Sequence, residues 1–231
     1  MSPPSPIRIE ALVDPAERPG MVAAAEQLSE CLGAADDGRA WPVRLNFLSP
    51  GEGLGDGPPP SVVIASLLSE VARPDEPIAE TEVRWRAYLE RLQASGAPVL
   101  VRTVFRHLSG RPNAGAVSPL LVRIRRLNLM AAHLSHVLGV GVIDIDRAFA
   151  HIGGKVLQTD YRLGGVLAAE VAGHTTAWSL LSFGLDEAVE PGLQERAKSV
   201  LGGLQRIDAL VGRRLSQRRA AQIAREQAGR G

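Results

Sequence analysis

The sequence predicts an α/β fold, a three-layer sandwich in which helices cover both faces of a mostly parallel sheet. Three observations carry this. Strand-like and helix-like segments alternate at least four times between residues 7 and 146, the order that builds a parallel sheet through helical crossovers. The run SVVIASLL at 61–68 is apolar and rich in β-branched residues, as a strand covered on both faces requires. From about residue 164 the pattern is almost wholly helical, which adds a C-terminal helical extension to the sandwich.

The elements follow in order. After a Pro-rich start, expected to be disordered over 1–6, IRIEALV (7–13) reads as the first strand. GMVAAAEQLSECLGAA (20–35) places Met21, Ala24, Ala25, Leu28 and Leu32 at helical spacing. VRLNFLS (43–49) alternates as a strand with one covered face would, and the Gly- and Pro-dense segment 50–60 is a loop. Residues 75–95 form a charged amphipathic helix with Val83, Trp85, Tyr88, Leu89 and Leu92 on its apolar side. GAPVLVRTVF (96–105) is the next strand. The helix over 118–139 has Ser118 as N-cap, Pro119 in its first turn and Gly139 as its stop. VGVIDID (140–146) is the last strand. No internal repeat is present.

Composition narrows the function classes. The 231 residues are 45% hydrophobic and only 4% aromatic, so the core must rest on aliphatic side chains. A single cysteine, Cys31, excludes an intramolecular disulfide and any cysteine metal cluster. The first thirty residues lack a leader-peptide pattern and no apolar run is long enough to span a bilayer, so a cytoplasmic location is expected. The net charge of +1 conceals a basic tail: residues 213–231 hold six arginines against one glutamate. The tail has no aromatics to stack on bases, which argues against nucleic acid and for a protein partner met through the C-terminal helices and this tail. The loop GEGLGDG at 51–57 runs into prolines and not into a helix, so it lacks the helix N-terminus of a nucleotide cradle.

Ligands of open parallel sheets meet the carboxyl ends of the strands, so the loops starting near Asp14, Ser49, Ser66, Arg106 and Asp146 are the places to search. Read in order, LERLQASGAPVLVRTVF, then RIRRLNLMAAHLSHVLGVGVIDIDRAF, then TDYRLGGVLAAEVAGHTTAWSLLS resemble the SGNH (GDSL-like) hydrolase family over roughly residues 7–185. The resemblance implies a flavodoxin-like sheet and esterase chemistry by a Ser-His-Asp triad. It also implies a serine nucleophile after the first strand, where this chain has Val13-Asp14-Pro15, and an Asp-x-x-His motif, where it has Asp160 but Leu163. The family's Gly-x-Asn-Asp motif is replaced by ASLLSEV, and its oxyanion glycine could be Gly51, Gly53 or Gly55. A serine hydroxyl is a weak nucleophile without a base to take its proton, so the family's mechanism cannot run on these residues.

Other residues could replace them. Ser66 or Ser69 with His107 forms a possible pair across neighbouring loops, against the simpler reading of a strand-end serine and a half-exposed histidine. His174 is a second candidate base, with a structural role in its helix as the favoured reading. Asp160, Tyr161 and Arg162 could bind a polar ligand or form an internal ion pair, and Arg106 stands at the same edge. Asp14 is either a retained site carboxylate or a helix N-cap with Pro15 in the first turn. His133 and His136 have metal-ligand spacing on one helix face but no matching acid, so no metal and no cofactor is expected. The expected function is a non-hydrolytic binding, scaffolding or accessory subunit, with an α/β domain over 7–185 and a helical extension over 186–231. The alternative is a divergent esterase or acyltransferase acting on a small metabolite or carbohydrate.

Overall fold

The structure is a computed structural model and describes residues 4–55, 57–106, 118–152, 165–203, 205–212, 216 and 220. In chain order the elements are β1 (Ile7–Leu12), α1 (Arg18–Ala35), β2 (Val43–Leu48), β3 (Val62–Ser66), α2 (Ile78–Gln93), β4 (Val99–Arg102), α3 (Pro119–Leu138), β5 (Gly141–Ile143), α4 (Ile145–His151), α5 (Val166–Phe183) and α6 (Pro191–Leu201). Short 3-10 turns at Pro15–Glu17 and Leu68–Ala72 follow β1 and β3. The five strands pair in parallel in the order β2-β1-β3-β4-β5, the flavodoxin-like order, with its reversal between β1 and β3. The α/β class and the helices on both faces are as the sequence predicts.

Alternation along the strands divides the core. Ile7, Ile9 and Ala11 of β1, with Val62, Ile64, Leu100 and Ile143, pack beneath α1 and α5. Val63, Ala65, Val99 and Val101 point the other way, onto Trp85, Leu89 and Leu92 of α2 and Ile124, Leu127 and Ala131 of α3. All five residues of β3 are buried, whereas β2, at the sheet's edge, alternates between half-buried and exposed positions. Leu193, Ala197 and Leu201 of α6, with Ile207 and Val211, belong to the same apolar cluster as β1 and α1. Among the described residues no helix is long and apolar enough to cross a membrane.

Two details depart from the sequence reading. Val83 is 70% exposed, while Thr81 takes the buried place on α2. Residues 145–146 are helical: Asp144 caps α4, its carboxylate accepting the Arg147 N–H at 3.0 Å, and this ends β5 after Ile143. The VIDID alternation has strand period, and a cap at its first aspartate overrides it.

The contact between α1 and α5 relies on small residues. A Cβ at Gly173 would lie 2.7 Å from the Ala23 Cβ and 2.9 Å from α1 backbone atoms, so any side chain there would force the helices apart. Gly173→Ala is therefore expected to destabilise by about 1–3 kcal/mol, although alanine favours helix by about 1 kcal/mol. The same change at Gly212, where a Cβ meets open space, should be neutral or stabilising. Thermal unfolding of the two variants checks this, and an equal response would refute the close-packing account.

Candidate functional site

The switch between β1 and β3 is where an open sheet of this order forms its ligand crevice. Among the described residues, the groups at this switch are the turn after β1 and the ends of β3 and β4. β1 runs out through Val13 into Asp14, whose extended backbone (φ −62°, ψ 146°) ends the strand. The Asp14 carboxylate accepts the Ala16 N–H at 2.8 Å, and Glu17 Oε2 accepts the Asp14 N–H at 3.2 Å. These reciprocal bonds make a capping box around Pro15–Glu17. Of the two readings of Asp14, the helix cap is the one its contacts describe.

The capping box turns Glu17 inward. Glu17 is only 2% exposed, and its Oε1 lies 3.6 Å from Nη1 of Arg102, the last residue of β4, which is 0% exposed. Space for that guanidinium comes from α1, where a Cβ at Gly20 would sit 3.3 Å from Arg102 Nη2. Ser66, at the end of β3, is 1% exposed, and its Oγ accepts the Leu68 N–H at 3.1 Å. Burial pushes the Glu17 carboxyl up, while the Arg102 charge, the Ser66 hydroxyl and the Asp14 backbone pull it back. Burial likewise lowers Arg102, against the attraction of Glu17. The Arg102 Nε, Nη1 and Nη2 atoms have no hydrogen-bond acceptor, so Glu17 is the charge that compensates them.

The neighbouring strand ends are held just as firmly. The Asn128 amide on α3 donates to the Val104 carbonyl and accepts the Val104 N–H, both at 2.8 Å. Arg106 clasps α4: its Nε contacts Asp146 Oδ2, and its N–H donates to Asp146 Oδ1 at 3.1 Å. Arg106 thus serves an internal ion pair, with about two-fifths of its side chain exposed. The candidates His107, Asp160, Tyr161 and Arg162, with Leu163, lie outside the described residues.

His174 is elsewhere. It is 2% exposed in the middle of α5, beside a cavity lined by Gln27, Cys31, Leu201 and Arg206. Burial lowers its basicity, with opposing backbone hydrogen bonds at Gly202 and Gly203. Cys31 in the same cavity is a buried thiol pushed up to about 12 by burial, which leaves it unreactive at neutral pH. His133 sits 3.3 Å from Glu82 on α2, and among the described residues no three metal-ligating side chains come together.

A second polar cluster, missed in the sequence reading, lies between β3 and α2. Arg84 forks onto Glu70 at 2.8 and 2.7 Å and also reaches Glu76 at 2.7 Å. Buried Arg123 of α3 donates to the carbonyls of Glu70 and Glu76 and to the Thr81 hydroxyl. Burial would raise the Glu70 carboxyl, but hydrogen bonds from Arg84 and Trp85 and the charges of Arg84 and Arg73 outweigh it and hold it below the usual glutamate range. The spacing of Glu70, Glu76 and Arg84 around a turn and a helix start was the available signal.

Two expectations follow from these contacts. Removing one member of the buried pair, as in Glu17→Gln or Arg102→Met, should cost about 3–5 kcal/mol, while the double variant recovers most of that loss. A urea double-mutant cycle measures it, and additive losses would show that the two groups do not compensate each other. Because the Glu70 carboxyl is more acidic folded than unfolded, its contribution is complete above the ordinary glutamate pKa and is lost as pH falls through the lower folded value. Glu70→Gln should flatten that acid limb in urea midpoints recorded against pH, and an unchanged slope would contradict the assignment.

No family model matches this sequence, and no curated protein does. Among solved structures, the crystal structure of an acetyl xylan esterase, AlAXEase, is similar with a TM-score of 0.55 at 14% identity, over 73% of this chain and 97% of that one. The likeness is one of fold, and it agrees with the five-stranded parallel sheet and the helices on its two faces.

Proposed function

We propose that this chain is a degenerate SGNH-like domain that binds and does not hydrolyse, working as a binding, scaffolding or accessory subunit. The observation that carries the reading is the burial of the polar groups at the switch: Glu17 and Arg102, 2% and 0% exposed, pair with each other at 3.6 Å where the strands end. Proline follows Asp14, so no hydroxyl is offered there. Ser66 is close to a carboxylate, but with 1% exposure and an oxygen engaged by the Leu68 amide it cannot approach an acyl carbon at 3–3.5 Å, the range a nucleophile needs. The esterase fold of AlAXEase supports descent from a hydrolytic scaffold, and fold alone assigns no activity. A protein partner engaged through the C-terminal helices and basic tail, in the cytoplasm, completes the proposal.

Incubation with p-nitrophenyl acetate and with a fluorophosphonate probe tests it. The expected result is turnover no faster than with heat-denatured protein, and no labelled peptide by mass spectrometry. Labelling of Ser66 or Ser69 with matching ester turnover would overturn the proposal in favour of a divergent esterase.

A further inference from the structure

The two most exposed large apolar side chains among the described residues, Val83 at 70% and Leu129 at 71%, stand on neighbouring helices. Val83 is on α2 and Leu129 on α3, the pair that covers the sheet face opposite α1, α5 and α6. The core asks for neither, since both point away from it. Each belongs to a stripe of exposed residues, Glu80, Val83, Ala87 and Glu90 on α2, and Arg126, Leu129, His133 and His136 on α3. Steps of three, four and three residues keep each set on one side of its helix.

The stripes are level with each other. Helical crossovers between parallel strands run in the same direction, and contacts fix their register: Arg123 reaches the Thr81 hydroxyl across a separation of 42 positions, and Gln93 reaches the Leu138 carbonyl across 45. Val83 and Leu129 are separated by 46, so the two stripes lie side by side. Their charges are opposite. The α3 helix holds three arginines, two histidines and no acid. On α2, Arg84 is engaged by Glu70 and Glu76, Arg86 by Glu82 at 3.3 Å, and Arg91 lies over the Tyr88 ring beside the loop at 51–57. His133 meets Glu82 at 3.3 Å within the chain. Glu80, Glu90, Arg125 and Arg126 have no ion-pair partner among the described residues, which leaves the α2 stripe acidic at both ends and the α3 stripe basic.

A face that is acidic along one helix and basic along its parallel neighbour complements itself. A two-fold axis that runs along the helices, midway between them and above their outer surface, lays α2 of each copy over α3 of the other, in the same direction and at the same level. We propose that this face joins two copies of the chain in an isologous dimer, with Glu80 against Arg126, Val83 against Leu129 and Glu90 against His136, each contact made twice. The two helices are about 24 and 30 Å long and about 10 Å apart, so the patch covers about 500 Å² per copy, less than the roughly 800 Å² of a standard interface. The dimer is therefore weak and concentration-dependent, and the C-terminal helices on the other face stay uncovered by it.

Sedimentation velocity of the full chain from micromolar to millimolar concentration tests this. The mass is expected to rise from that of one chain toward that of two. Leu129→Asp should weaken association at least tenfold, while Val200→Asp, at a half-exposed position of α6 across the sheet, leaves it unchanged. Glu80→Arg and Arg126→Glu should each weaken self-association at least tenfold, yet an equimolar mixture of these two variants should regain the affinity of the unaltered chain, because both like-charge clashes become opposite-charge pairs. That recovery also shows that both variants fold. A mass that stays at one chain throughout, an equal response to Leu129→Asp and Val200→Asp, or a mixture that associates no more tightly than its components would overturn the proposal.

Discussion

The ion pair between Glu17 and Arg102 governs this structure. Two charges enclosed in an apolar sandwich each lose several kcal/mol of hydration, and their mutual attraction, at 3.6 Å, offsets the loss together with the Ser66 hydroxyl and the Asp14 N–H at Glu17. Every element around the pair serves that constraint. The Asp14 capping box aims the carboxylate inward, Gly20 leaves room for the guanidinium, and Ser66 closes the space between them. Such a pair is poor at adding stability but effective at fixing one arrangement, because β1, β3 and β4 must end in register for the charges to meet. Among the described residues, the polar side chains at these strand ends are turned inward, which is what the proposed loss of hydrolysis rests on.

Arg84 and Arg123 tie the turn after β3 to α2 and α3 through Glu70, Glu76 and Thr81. Both clusters use guanidiniums to fix the fold: Arg102 against Glu17 within the sheet's core, Arg84 and Arg123 between the turn after β3 and the two helices.

The sheet and its helices were legible because they rest on local signals. The continuous run at 61–68 became the fully buried β3, and the Asp14-Pro15 pair, readable as a helix start, is one. Partnerships across the chain were not legible. Nothing near Glu17 points to Arg102, far away in sequence, and the one available sign was a charged residue ending the otherwise apolar VLVR. Arg106 shows the same limit: its place at the sheet's carboxyl edge was readable, its clasp on Asp146 was not. In α2, Val83 has core-like character but faces out, because Thr81 is drawn inward by Arg123. Ser66 could be placed at a strand end from sequence, yet its burial depends on the same distant pair.

The central claim is that the strand ends form a sealed structural unit and not a reaction centre. Native-state hydrogen exchange reads this most directly at the amides of Asp14, Ala16 and Leu68, which donate to Glu17, Asp14 and Ser66. The account predicts that they exchange only through global unfolding, with an opening free energy equal to that of the buried β3 amides. Exchange through a local opening several kcal/mol easier would contradict it, because the edge would then admit a substrate while the rest of the fold stays closed.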